Sequence, residues 1–205
     1  LALYMEINSN MQQLTQQLKS GKMEILEVPF PLLLKGQVLV RNYYSVISAG
    51  TEGKTVSDAR KGYIAKAKSR QKEVKMVIDM IKAEGLRKTY DTVMNKLEAP
   101  SSLGYSCAGE VIAVGEGITD LFVGDKVAAG GSGAYHADVV AVNRNLCVKV
   151  PQNVDLSHAA FTTIASIAIQ GIRQADLRFG ENCVVVGLGL IGLITIQVLK
   201  ASGIK

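Results

Sequence analysis

Val184 to Lys200 reads VVVGLGLIGLITIQVLK: a β-branched run that opens into glycines at 187, 189 and 192, then into an apolar stretch long enough for a helix. Gly187, Gly189 and Gly192 have the spacing G-x-G-x-x-G. In a strand–turn–helix each glycine has a physical task. The first permits a tight turn out of the strand, the second lets a diphosphate approach bare main chain, and the third lets the helix pack close to the sheet. A helix start adds unpaired N–H groups and the positive end of a dipole, so the natural ligand is an anion. This reading sets a dinucleotide diphosphate against Gly187, Leu188, Gly189, Leu190, Ile191 and Gly192.

Around that turn, Cys183 to Val186 is expected as a short apolar strand, Arg178 to Asn182 as the turn before it, and Ile191 to Ala201 as a helix ending at Gly203. Two other readings stay open. Cys183 to Leu199 is 17 residues interrupted only by Gln197, near the lower limit of about 17 to 25 for a membrane span. Alternatively the glycines serve helix packing alone and bind nothing. A bilayer helix does not need three valines followed by glycines at these offsets, which favours the nucleotide turn. The acidic residue that holds a ribose hydroxyl is expected about 20 positions further on, beyond Lys205. NAD and NADP are therefore not distinguished, and the sequence is expected to be a fragment, inactive by itself, of a longer chain.

Upstream of the turn, Asp155 is placed to cap a helix beginning DLSHAAF, and Thr162 to Ala175 is periodic enough to be another. Before Pro151 the pattern is that of strands: Lys22 to Val28, Gln37 to Ile47, Gly104 to Val114, Lys126 to Ala128, Ala134 to Val142 and Leu146 to Val150, cut by glycine turns. Short strands with glycine turns predict a partly closed barrel. Between them the period changes. Val74, Val77, Ile78 and Ile81, and then Tyr90, Val93, Met94 and Leu97, recur at helical spacing on either side of Gly85, predicting two amphipathic helices.

Two hundred and five residues, 48% hydrophobic and 20% charged, make one to two globular domains at roughly 150 residues each and exclude disorder. The formal charge of +5 is local: between Lys54 and Lys96 twelve Lys or Arg stand against five Asp or Glu, and the rest holds eleven against thirteen. That basic surplus is expected on the polar faces of the two helices, as a solvated face or as a contact for an anionic substrate, membrane surface or partner. Nucleic acid is the weakest of these, because the segment lacks interleaved aromatics. Cys107, Cys147 and Cys183 share no metal-like spacing with His136 and His158, and no secretory signal is visible, so a reducing cytoplasm is the expectation. Residues 1–10 join the later pattern poorly and are expected to be a leader or vector-derived.

The stretch from Gly104 to Val127, GYSCAGEVIAVGEGITDLFVGDKV, resembles the signature of the medium-chain dehydrogenases/reductases, with Gly109, Val111, Val114, Gly115, Ile118, Gly124, Asp125 and Val127 at the recurrent positions. VISAGTE from Val46 to Glu52 and VKVP from Val148 to Pro151 resemble two further segments of that family. The resemblance implies an α+β and α/β architecture. Residues 11–150 would be a GroES-like, partly open β-barrel with a basic helical insert at 54–98, and residues 151–205 linker helices and the first β-α unit of a truncated Rossmann domain. The ISAGTEG turn, the basic insert and LGYSCAG resemble a bacterial subgroup fused to an oxidoreductase of the Gfo/Idh/MocA type, which implies a sugar derivative as substrate.

What the resemblance implies for the chemistry is an NAD- or NADP-dependent oxidoreductase acting on a small-molecule alcohol or carbonyl, with no nucleic-acid partner, no membrane insertion and a homo-oligomer among the expected assemblies. Zinc members of the family carry a ligating Cys where this chain has Ser48, and Gly-His-Glu where it has Gly104-Tyr105-Ser106. A hydroxyl and a phenol are poor neutral zinc ligands, so no zinc is expected. Hydride transfer without a Lewis acid still needs the oxygen stabilised and a proton delivered. The turns that the family places beside the nicotinamide offer Ser48, Thr51 and Tyr105 as catalytic candidates, each of which could equally be structural. Glu52 is expected to hold its turn, His136 and His158 to be ordinary half-exposed residues, and Cys147 to be core. A non-enzymatic binding module built on the barrel and the basic insert is the alternative function, and a barrel tethered to a membrane by Cys183 to Leu199 is a second.

Overall fold

The structure is a computed structural model describing residues 10–50, 52–53, 71–178 and 180–205. In chain order the elements are β1 (Asn10–Gln17), β2 (Met23–Pro29), β3 (Gln37–Ser45), α1 (Gln71–Glu84), α2 (Leu86–Glu98), β4 (Pro100–Ser102), β5 (Ser106–Val114), β6 (Lys126–Gly130), β7 (Val139–Asn143), β8 (Cys147–Lys149), α3 (Leu156–Ala159), α4 (Thr162–Gln174) and α5 (Leu190–Ala201). They form two compact units.

The larger unit contains Pro29–Val46 and Gly104–Lys205. Its sheet has five strands in the order β7-β3-β5-β6-β8, antiparallel throughout. The central strand β5 reads SCAGEVIAV, small and β-branched residues that are buried on both faces. One face carries Val38, Val40, Cys107, Val111, Leu121, Val127, Val140 and Val142, all nearly inaccessible. Each valine so buried contributes roughly 1.5–3 kcal/mol relative to an exposed one. The other face is lined by Ala108 and Ala128, whose small side chains let helices approach. Ala159 of α3, Ile164 of α4, and Leu190 and Ile194 of α5 pack there. The Gly124-Asp125 turn leading into β6 is closed by the Asp125 carboxylate, which accepts from the Phe122 N–H at 2.7 Å and pairs with Lys149 at 2.9 Å.

The smaller unit contains Gln12–Val28 and Ile47–Leu103. Its three-stranded sheet has the order β2-β1-β4, with Thr15 opposite Ser102 and Gln17 opposite Pro100. Helices α1 and α2 form a hairpin broken at Gly85, whose φ of 83° no helix accommodates.

Five expectations are corrected. Cys183 to Val186 is not a strand of either sheet: Cys183 is bonded only to Lys205, and Val184 and Val186 are 88% and 95% exposed. The strand expected at Ala134 begins only at Val139, since the carbonyls of Gly131, Gly133 and Tyr135 accept from the Ala134, Tyr135 and Ala137 N–H groups in local turns. Asn10, grouped with the leader, is the first residue of β1, a strand the sequence pattern does not announce. Among the apolar residues expected to face inward from the helical hairpin, Val74, Ile78 and Tyr90 are exposed. Finally, 71–98 holds six basic against five acidic residues, so the surplus is not on these helices; it belongs to 54–70, outside the described residues.

Candidate functional site

The glycine turn has the geometry its spacing implies. Gly187 has φ of 98°, in the left-handed region that side chains avoid. Gly189 is the N-cap of α5 and supplies no side-chain cap, so the first N–H groups of the helix face the turn without an intrachain side-chain acceptor. A Cβ on Gly192 would collide with the carbonyl oxygen of Gly187, so helix and turn are in direct contact there. A Cβ on Gly189, by contrast, would have nothing within 4 Å among the described residues. The helix ends in a Schellman motif, with the Ile204 N–H on the Leu199 carbonyl at 3.0 Å and the Gly203 N–H on the Lys200 carbonyl at 3.1 Å. The chain then returns: the Cys183 N–H donates to the Lys205 carbonyl at 2.7 Å and the Lys205 N–H to the Glu181 carbonyl at 3.1 Å, the slanted pattern of a parallel pairing centred on Asn182. Among the described residues no helix is long and apolar enough to cross a membrane, and α5, Leu190–Ala201, covers only 190–199 of the 17-residue apolar stretch.

Ser48 sits in a tight turn. Its backbone N–H donates to Glu52 Oε1 at 3.0 Å, and its carbonyl accepts from the Glu52 N–H at 2.8 Å. The Glu52 side chain, 9% exposed, thus reaches back to its own turn, as expected of it. Thr51 lies outside the described residues. Tyr105 is half-buried against the cluster of Val46, Ala108, Ala128, Ala159, Ala160 and Ile164 that also receives Leu190, the first residue of α5. Its neighbour Ser106 is 1% exposed and donates its hydroxyl to the Ala160 carbonyl at 2.6 Å, tying β5 to the end of α3.

With that geometry in place, residues 71–152 match the alcohol dehydrogenase GroES-like domain. The chain is 31% identical over 129 residues to (R,R)-butanediol dehydrogenase of Bacillus subtilis, covering 51% of this chain and 37% of that protein. It is 39% identical over 101 residues to D-guloside 3-dehydrogenase of Escherichia coli, covering 49% of this chain and 29% of that protein. Among solved structures, galactitol-1-phosphate dehydrogenase of Escherichia coli superposes with a TM-score of 0.68 at 18% identity, over 95% of this chain and 54% of that one. Together these support the medium-chain alcohol dehydrogenase family and its fold. The matched part of the chain spans 37% and 29% of the length of these two curated relatives.

Within the GroES-like domain the two buried thiols are not ligand-like. Burial, and then the neighbouring Cys147, pushes the Cys107 thiol up to about 12 despite a hydrogen bond from Asn42; burial pushes Cys147 up to about 11. Among the described residues no three His, Cys, Asp or Glu side chains stand together as a metal site. Two features escaped the sequence reading. Gly130, Gly131, Cys147, Thr162, Thr163 and Ser166 line a cavity of about 390 Å³. In addition, His136 Nδ1 lies 2.8 Å from Ser45 Oγ, a pairing across 91 residues that no local spacing signals.

Proposed function

We propose that this chain is part of an NAD- or NADP-dependent oxidoreductase of the medium-chain type, acting on the alcohol or carbonyl of a small molecule such as a polyol or sugar derivative. The observation that carries the reading is the contrast within the glycine turn. Gly187 is required by its φ, and Gly192 by the Gly187 carbonyl against it, so helix packing accounts for both. Among the described residues Gly189 has no such internal reason, and it is the N-cap of α5. A diphosphate held against that main chain explains a glycine that packing does not.

When bound, the dinucleotide would supply the hydride donor or acceptor. The residues of the chain would do the rest. The main-chain N–H groups of Leu190, Ile191 and Gly192 orient the anion, and the hydroxyls of Ser48, Thr51 and Tyr105 are the groups assigned to the substrate oxygen. Zinc does not fit the donor set. Ser48 offers a hydroxyl, Tyr105 a phenol, and the Ser106 hydroxyl is already committed to the Ala160 carbonyl. The proposed reaction is therefore zinc-independent, and no step runs through a metal. A cytoplasmic setting, with the three cysteines as free thiols, belongs to the same reading. So does a kinship with fusions to a Gfo/Idh/MocA-type oxidoreductase, which rests on the ISAGTEG turn and the LGYSCAG stretch.

The test is Gly189→Leu in the full-length protein, with NADH and NADPH binding followed by nucleotide fluorescence. Binding should fall at least 100-fold while the thermal transition stays put, because a Cβ at 189 has nothing within 4 Å among the described residues. Unchanged binding, or no binding of either nucleotide by the unsubstituted protein, would overturn the assignment. Metal analysis of the purified protein should return less than one zinc per ten chains.

A further inference from the structure

Within the larger unit, β6, the short β8 at the edge of the sheet and the N-terminal half of α4 enclose the cavity of about 390 Å³, a size in the range of roughly 300–1,000 Å³ typical of small-molecule sites. Gly130 and Gly131 bring no side chains to it, and a Cβ at 130 would strike Thr163 Oγ1. The cavity adjoins groups assigned to the reaction. Gly131 donates its N–H to the Tyr105 carbonyl at 2.9 Å, and Ala128, in the cavity wall, belongs to the cluster against which Tyr105 and Leu190 pack. The lining has a definite chemistry. Ala128, Leu146 and Val148 make it apolar on the side of the sheet, and Leu146 and Val148 remain 38% and 50% exposed. On the side of α4 stand the hydroxyls of Thr162, Thr163 and Ser166, and Asn145 adds an amide. Thr162 Oγ1 donates to the Ala159 carbonyl at 2.7 Å and Ser166 Oγ to the Thr162 carbonyl at 2.9 Å. A hydroxyl has one proton to give, so toward a ligand these two can only accept. No lining residue is charged: Cys147, the one titratable side chain among them, keeps its proton because burial pushes its thiol up.

From this lining we infer that the cavity holds the part of the substrate remote from the reacting carbon, and that this part is uncharged and polyhydroxylated, a role that rests on the oxidoreductase reading above. A phosphate or carboxylate entering it would meet oxygen lone pairs and no counter-charge, and an unpaired charge taken out of water is costly. A sugar hydroxyl, by contrast, donates to Thr162 and Ser166, while the C–H face of the same ring or chain lies on Leu146 and Val148. A plain hydrocarbon would cover the apolar side and leave the hydroxyls of α4 without partners. The substrate is thereby narrowed from any small alcohol or carbonyl to a neutral polyol or sugar, with phosphorylated sugars and sugar acids set aside.

Experiments on the full-length protein test this. D-glucose, D-galactose, D-sorbitol and myo-inositol are offered with NAD⁺ and with NADP⁺, each beside its monophosphate. At least one neutral compound should be oxidised, with kcat/KM at least tenfold above that of its phosphate. Preference for a phosphate, or no oxidation of any neutral compound by protein that binds nucleotide, overturns the inference and leaves the functional reading standing. Ser166→Phe then fills the cavity from an exposed position on its rim. KM for the preferred sugar should rise at least tenfold while nucleotide binding stays within twofold, and an unchanged KM overturns the assignment. Methyl NMR of the unsubstituted protein keeps the test independent of how the variant folds: adding the sugar should shift the methyl signals of Leu146 and Val148, and signals that stay in place at saturating sugar overturn the assignment as well. Failure of the unsubstituted protein to bind either nucleotide overturns the functional reading and the cavity assignment with it.

Discussion

Gly192, in the first turn of α5, faces the carbonyl oxygen of Gly187 so closely that even a methyl group at 192 would overlap it. Gly192→Ala is the smallest change that tests this contact. The helix must either tilt away or push the 187–189 turn outward, and inserting one methyl into such a contact costs about 1–3 kcal/mol. Chemical denaturation of the full-length protein should record a loss in that range, with nucleotide binding weakened as the turn shifts. Gly171→Ala in α4, where a Cβ meets nothing, should be neutral or stabilising in the same assay.

How much of this was legible beforehand depends on how local each feature is. The glycine turn, the helix break at Gly85 and the Asp155 cap, whose carboxylate accepts from the Ser157 N–H at 2.7 Å, are set by residues within a few positions of one another and were readable. Strand β1 was not. NMQQLTQQ has four glutamines and low strand propensity, and it is held extended by pairing with β2 and β4 rather than by its own preference. The same holds for β4, three residues whose partner lies more than eighty positions away. At the site, Glu52 was expected to hold its turn, and its bond from the Ser48 N–H, four residues back, does so. The Ser106–Ala160 and Ser45–His136 bonds span 54 and 91 residues and exist only in the folded chain.

Ser106 occupies the position where the zinc-type pattern has a carboxylate, yet its hydroxyl is buried and donates to the Ala160 carbonyl at 2.6 Å. If that bond is its task, Ser106→Ala leaves a buried carbonyl without its donor and should destabilise the protein by about 1–3 kcal/mol. Nucleotide binding and the pH profile of turnover should be preserved, since the hydroxyl is committed to the Ala160 carbonyl. Ser106→Thr, which keeps the donor but adds a methyl in a site that is 1% exposed, should be destabilising as well. Equilibrium unfolding of the two variants beside the unsubstituted protein checks both outcomes. A variant with lost turnover and unchanged stability would show that Ser106 acts in the chemistry.

Cys107 and Cys147 give the fold a pH dependence whose sign can be worked out. Burial pushes the two thiols up to about 12 and about 11, whereas an unfolded cysteine ionises near 8.5. Below about pH 8.5 both are protonated in the folded and unfolded chains alike, and their contribution to stability is fully present. As pH rises beyond that, the unfolded chain loses protons the folded one retains. Stability therefore declines toward pH 11–12, by about 1.4 kcal/mol per pH unit for each thiol. Denaturation midpoints at pH 8, 9 and 10 should fall accordingly, and Cys107→Ala should flatten the slope even though it lowers the midpoint at pH 8. The same burial makes both thiols poor nucleophiles at neutral pH. A disulfide reagent at pH 7.5 should modify only the half-buried Cys183 in the native protein and all three cysteines once it is unfolded. Rapid native reaction at two or three thiols would contradict the placement of Cys107 and Cys147 in the core of the sheet.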